Sequence, residues 1–186
     1  MVDAGGETSG ETGREAGEVV DLRRPGTVHL VGVGGSGISA IAVILATLGH
    51  RVSGSDVVAT GAWPRLEAAG VRLEVVEESE LFAAADRSGA ELVANSTAFP
   101  PPAEQVAAIE ARGGRVLDRA AILAAVCALR PTVAVSGTHG KTSTTAMLAT
   151  LLHEVGAGPS FLVGATPASL GEAARWAPTP GLFVVE

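Results

Sequence analysis

Two places in the chain share one order: a short apolar run rich in β-branched residues, a glycine turn, then a helical pattern. The first is Thr27–Val33, which runs into Gly32-Val33-Gly34-Gly35-Ser36-Gly37 and then into Ile38, Ile41, Val43, Ile44, Leu45 and Leu48. The second is Thr132–Ser136, followed by Gly137-Thr138-His139-Gly140-Lys141-Thr142 and a helix from Lys141 to about Val155. A continuous apolar run that stops at glycine reads as a buried parallel strand. Strand and helix also alternate between the two turns, with strands expected at Arg51–Ser53, leading to Gly54-Ser55-Asp56, and at Val71–Val76, Glu91–Ala94 and Arg115–Leu117. Helices are expected at Arg65–Ala69, Pro102–Arg112 and from Asp118, as cap, through Leu129. Such alternation predicts an α/β chain with a mostly parallel, doubly wound sheet. Arg130-Pro131 breaks the last of these helices just before a fresh strand, which puts a domain boundary there.

The expected organisation is therefore an acidic tail over 1–24, a Rossmann-like sheet domain over 25–130, and the start of a P-loop-type α/β domain over 131–186. The tail holds Asp3, Glu7, Glu11, Glu15 and Glu18 against Arg14, is rich in Gly, Ser and Thr, and reads as disordered. With 13 basic and 20 acidic residues, a net charge of -7 and only 3% aromatics, the chain is a poor nucleic-acid binder. Pro25–His50 is uncharged, but glycines confine its continuous apolar piece to Ile38–Leu48, roughly 16 Å as helix against a bilayer core of ~30 Å. A membrane span is excluded on that length. The single cysteine, Cys127, forms no internal disulfide, which fits a reducing, cytoplasmic setting, and it reads as a structural thiol.

The first turn matches G-x-G-x-x-G at a strand-to-helix junction. Glycines there let a diphosphate approach backbone N–H groups at the positive end of a helix. The same glycines also suit a tight packing turn. Asp56, at the end of the second strand, stands where an acid often meets a nucleotide ribose or base, or it closes a Gly-Ser-Asp turn. The second turn is shorter than the usual phosphate loop, with Val135 where that loop has its first glycine. It keeps the essential parts: backbone N–H groups, an ammonium at Lys141 and a hydroxyl at Thr142 suited to Mg²⁺. Lys141 is the only lysine among the 13 basic residues. A compact cation thus stands where nucleotide phosphates need one. His139 is a possible ligand contact within the loop; His29 and His153 read as structural or solvent-facing, and His50 as a ring at a helix C-terminus favoured by its dipole. Glu186 ends an apolar strand, where a carboxylate beside a phosphate loop suits Mg²⁺ or a water on it.

Taken together, Val28-His29-Leu30-Val31-Gly32-Val33-Gly34-Gly35-Ser36-Gly37-Ile38-Ser39, Gly54-Ser55-Asp56 and Gly137-Thr138-His139-Gly140-Lys141-Thr142 resemble the Mur ligases from about Thr27 to Glu186. The order of the two loops and the short second one carry the likeness. It implies that Gly34, Gly35, Ser36 and Gly37 contact a UDP-sugar diphosphate, with Asp56 near the uridine and Ser96 in a matching loop. It also implies ATP at Gly137, Thr138, His139, Gly140, Lys141, Thr142 and Ser143, with Lys141 catalytic and Mg²⁺ on Thr142 and Glu186. The implied reaction is ATP-dependent joining of L-alanine to the carboxylate of UDP-N-acetylmuramate through an acyl phosphate, in peptidoglycan precursor synthesis. The family has a larger central domain and a third domain, so an N-terminal piece that binds the UDP-sugar, binds ATP poorly and does not turn over is expected. Two other readings stay open: a nicotinamide-dependent oxidoreductase domain, resting on the first loop and Asp56, and a non-catalytic UDP-sugar-binding module.

Overall fold

The computed structural model describes residues 20–186. The expected acidic tail lies outside them as far as residue 19. Its last residues do not: Leu22 is buried against the first core, and His50 holds the segment by donating from Nε2 to the Leu22 carbonyl at 3.1 Å. The same ring accepts the Gly26 N–H at Nδ1, 3.1 Å. Bonded at both ring nitrogens, His50 works as a clasp for the incoming chain. The packed chain therefore begins before the expected boundary at Pro25.

Five strands form the first sheet: β1 (Thr27–Val31), β2 (Arg51–Asp56), β3 (Arg72–Val75), β4 (Leu92–Asn95) and β5 (Arg115–Asp118). Their order is β3-β2-β1-β4-β5 and every pairing is parallel. The order reverses beside β1, which places the β1 loop at the crevice where ligands bind in such sheets. The intervening helices are α1 (Ser36–Thr47), α2 (Trp63–Ala68), α3 (Leu81–Arg87), α4 (Ala103–Ala111) and α5 (Arg119–Cys127). α3 was not legible in the sequence: it has seven residues, three of them consecutive alanines, and lacks a long periodic stripe. Asp118 caps α5 as expected, its carboxylate accepting the Ala121 N–H at 2.7 Å.

A second, four-stranded sheet follows, ordered β6-β9-β7-β8, from β6 (Thr132–Ala134), β7 (Ser160–Leu162), β8 (Ala174–Arg175) and β9 (Phe183–Val185). Only β8 is antiparallel, a two-residue strand too short to leave a pattern. α6 (Lys141–Glu154) crosses between β6 and β7. α1 explains its own lack of a polar face. One core cluster runs from Leu30 and Val52 through Ile38, Ile41, Ile44 and Leu45 to Leu162, Phe183 and Val185 of the second sheet. Burying each such side chain contributes about 1.5–3 kcal/mol. Arg130, at the junction, donates to Ser160 Oγ at 2.6 Å and to the Ala177 carbonyl at 2.7 Å, and stacks 4.1 Å from the Trp176 ring centre. Among the described residues no helix is long and apolar enough to cross a membrane.

Candidate functional site

Parallel pairing brings both glycine loops to the C-terminal ends of their sheets. The first is built into the protein on several sides. Gly32 and Val33 donate their N–H groups to the Ser55 carbonyl at 2.8 and 3.2 Å. Gly32 has φ +72°, and a Cβ there would stand 2.8 Å from both Phe99 and Ser96, so the position admits only glycine without displacement. Gly34 donates to Asp56 Oδ2 at 2.7 Å, and its carbonyl accepts from Thr60 Oγ1 at 3.1 Å. The other Asp56 oxygen accepts the Val57 N–H at 2.8 Å. Asp56 is 5% exposed and braces the loop through Oδ2, while Oδ1 is held by its own neighbour Val57. Ser96 sits under Gly32, its N–H bonded to the Val31 carbonyl at 2.9 Å and its Oγ accepting from Ala98 N–H at 3.3 Å.

The cap of α1 is Gly35, without a side-chain hydrogen bond, and the first turn holds no acid. Free N–H groups at Ser36 and Gly37 and the positive end of a twelve-residue helix therefore face outward. They border a cavity of about 410 Å³ lined by Gly34, Ser36 and Arg65 and, from the second unit, by Gly164 and Thr166.

Beneath this loop, His29 lies 2% exposed between Ser53 Oγ and Ser55 Oγ, each 3.0 Å from a ring nitrogen. Ser55 Oγ donates a hydrogen bond to the Leu81 carbonyl at 3.3 Å. Burial first, then the Arg72 and Arg87 charges, pull the His29 pKa down to about 4. Of the two alternatives in the sequence reading, the ring is structural. Burial also raises the Cys127 thiol, consistent with an unreactive structural cysteine.

The second loop is open by comparison. Gly140 caps α6 with φ +76°, and Thr138, His139 and Ser143 are exposed. Lys141 Nζ donates to the Gly137 carbonyl at 2.7 Å, folding the ammonium over its own loop. β9 lies parallel to both β6 and β7, so Glu186 emerges directly beside the loop. Thr142 Oγ1 donates to Glu186 Oε2 at 2.9 Å, and Gly164 N–H donates to the other oxygen. A cavity of about 380 Å³ is lined by Lys141, Thr142, Gly164 and Glu186 together with Thr97 and Arg119 from the first unit. Gly164 borders both cavities, so the two loops open toward neighbouring spaces.

A family model described as the Mur ligase family, catalytic domain, matches residues 27–130. The chain belongs to the Mur ligase family. The UDP-N-acetylmuramate–L-alanine ligase of Acidothermus cellulolyticus is 43% identical over 169 residues, covering 91% of this chain and 34% of that protein. The enzyme of the same name from Burkholderia cenocepacia is 40% identical over 148 residues, covering 80% of this chain and 31% of that one. The chain thus spans about a third of the length of these relatives. Among solved structures, the UDP-N-acetylmuramate:L-alanyl-γ-D-glutamyl-meso-diaminopimelate ligase of Neisseria meningitides superposes with a TM-score of 0.75 at 28% identity. It covers 88% of this chain and 52% of its own.

Within this Mur ligase chain, three residues at the loops escaped sequence reading. Thr60 fastens Gly34, Arg65 lines the first cavity, and Arg119 lies against Gly37, where a Cβ would overlap its guanidinium. Arg119 had a signal available: it follows Asp118 at the C-terminal end of a parallel strand, the edge where ligands gather. Arg65 had none.

Proposed function

We propose that this chain supplies the UDP-sugar site and the ATP phosphate loop of a UDP-N-acetylmuramate–L-alanine ligase acting in the cytoplasm in peptidoglycan precursor synthesis. One observation carries the reading: Lys141, Thr142 and Glu186 share a cavity with Thr97, from the loop after β4, and Arg119, from the start of α5, in the unit that bears the first loop. A transferable phosphoryl group and a sugar-borne carboxylate held by the two loops would lie in neighbouring cavities that share Gly164 as a border. The domain division we favour puts the UDP-sugar unit before Arg130-Pro131 and the ATP unit after it.

In this reading the free N–H groups of Ser36 and Gly37 receive the UDP diphosphate, with Gly34 and Gly35 shaping the approach and Ser96 supporting the loop from below. Asp56 serves the site by fixing Gly34, and the uridine lies beyond it. The N–H groups of Gly137 through Ser143 surround the ATP phosphates, with His139 at the rim. The Lys141 ammonium leaves the Gly137 carbonyl and turns to the phosphates, where it stabilises charge on the transferred group. A carboxylate is a poor electrophile. Phosphorylation of the muramate carboxylate releases ADP and gives an acyl phosphate; the L-alanine amine then attacks its carbonyl carbon, expels phosphate and loses a proton as the amide forms.

The hydroxyl of Thr142 and the carboxylate of Glu186 fit Mg²⁺, which takes oxygen from one or two carboxylates plus substrate phosphates and keeps several waters. When bound there it supplies charge neutralisation between the phosphates.

Calorimetric titration with UDP-N-acetylmuramate, with ATP and Mg²⁺, and with NADH tests the reading. Binding of the UDP-sugar without NADH is the expected result; NADH binding without the UDP-sugar overturns it in favour of an oxidoreductase domain. Incubation with both nucleotides and L-alanine is expected to give no amide, because the chain spans only a third of its relatives.

A further inference from the structure

Three buried side-chain polar atoms lack a hydrogen-bond partner among the described residues: Arg65 Nε, Arg119 Nε and Thr145 Oγ1. Two of the three belong to arginines at the first loop. Arg65 comes from α2 and lines the cavity that Gly34 and Ser36 border. Arg119 comes from the start of α5 and lies directly on Gly37, the second residue of α1.

Among the described residues neither forms an ion pair. The ion pairs of the described residues engage Arg23, Arg87, Arg112 and Arg175. The one acid that touches the loop, Asp56, spends both oxygens on backbone N–H groups. The uncapped start of α1 adds roughly half a positive charge of its own, which repels a guanidinium laid on it. A buried donor without an acceptor is costly, and more so when it is charged. Three sources of positive potential thus converge on one loop, and no ion pair among the described residues offsets them. The third glycine of the motif also gains a specific purpose, because only a residue without Cβ lets Arg119 lie so close.

We infer that Arg65, in the cavity that Gly34 and Ser36 border, and Arg119, laid on Gly37, form a two-arginine clamp on the first loop that holds the diphosphate of the bound nucleotide. The clamp rests on the UDP-sugar reading given above and adds its anion-binding side chains. Two planar guanidinium groups give several N–H donors in fixed fork geometry, which matches two linked phosphates better than one. Arg119 also borders the cavity of Lys141, so the cation that holds the first nucleotide stands at the edge of the second site.

The test is binding of UDP-N-acetylmuramate, UDP and UMP to the 186-residue chain and to its R65Q, R119Q and R119K variants, with the unfolding midpoint of each ligand-free chain. The wild-type chain is expected to prefer UDP over UMP by about tenfold or more. R65Q and R119Q each lose about tenfold in UDP affinity, keep UMP within about twofold, and unfold no earlier than wild type; R119K recovers part of the loss. A purely structural arginine would instead lower the unfolding midpoint and weaken all three ligands alike, and that result overturns the clamp. So does UDP binding unchanged in both glutamine variants while the wild-type chain binds UDP-N-acetylmuramate. If the wild-type chain binds none of the three, the UDP-sugar reading falls, and the clamp falls with it.

Discussion

The two glycine loops start from the same strand–turn–helix plan and end in different physical states. The first is locked between Asp56, Thr60, Ser96 and Phe99, and its helix α1 is covered on every side. The second follows a three-residue strand and has largely exposed turn residues. Its helix α6 leaves Met147, Leu151 and Val155 at 65%, 61% and 69% exposure. A loop's readiness to bind thus depends less on its own glycines than on how many neighbours fix them. The first loop is preorganised by this chain alone, whereas the second has its strand, its lysine and one carboxylate but an uncovered helix face beside it.

The sharpest way to break this contrast is Gly32→Ala. A left-handed backbone and overlap with Phe99 and Ser96 make us expect a loss of about 3 kcal/mol or more, measured by urea denaturation. An alanine chain of wild-type stability would show that the first loop is not locked. Next comes acid. His29 has its pKa pulled to about 4 when folded, against about 6.5 unfolded. The unfolded chain therefore binds the proton first, so the stability it confers is full above pH 6.5 and is lost as pH falls toward 4. The change amounts to at most ~3 kcal/mol, and a His29→Phe chain should show a flatter profile over that window.

Asp56→Ala removes two charge-assisted bonds and should cost about 2 kcal/mol while lowering UDP-N-acetylmuramate affinity, read by denaturation and calorimetry. Undiminished affinity would mean the loop keeps its shape without its brace. On the second loop, Glu186→Gln is expected to cost about 1 kcal/mol, through weaker acceptance from Thr142 and Gly164. Lys141→Ala should change stability by less than ~0.5 kcal/mol, because its single partner is a carbonyl of its own loop. A large loss from Lys141→Ala would show the second loop to be as firmly built as the first.

Most of the architecture was legible from residue order. Apolar runs marked β1, β4, β6 and β9, those of β1 and β6 leading into glycine; proline and glycine bracketed α4; and an aspartate marked the start of α5. The elements that escaped, α3 and β8, are short and stabilised by what they pack on. The histidines show the same limit. Nothing in the order of residues distinguishes a histidine between two serines of the next strand from one facing water, and His29 and His50 took their roles only once β1, β2 and the segment before Pro25 were assembled.

The sequence by itself determined the alternation of strand and helix, the two glycine turns and the lone lysine in the second, because backbone freedom, periodicity and residue chemistry are local properties. Tertiary structure alone decided that Asp56 braces Gly34, that Glu186 meets Thr142 across 44 positions, and that Arg65 and Arg119 flank one loop. Those meetings follow from the order of strands in the sheets, and strand order is set by which apolar faces bury one another over the whole chain.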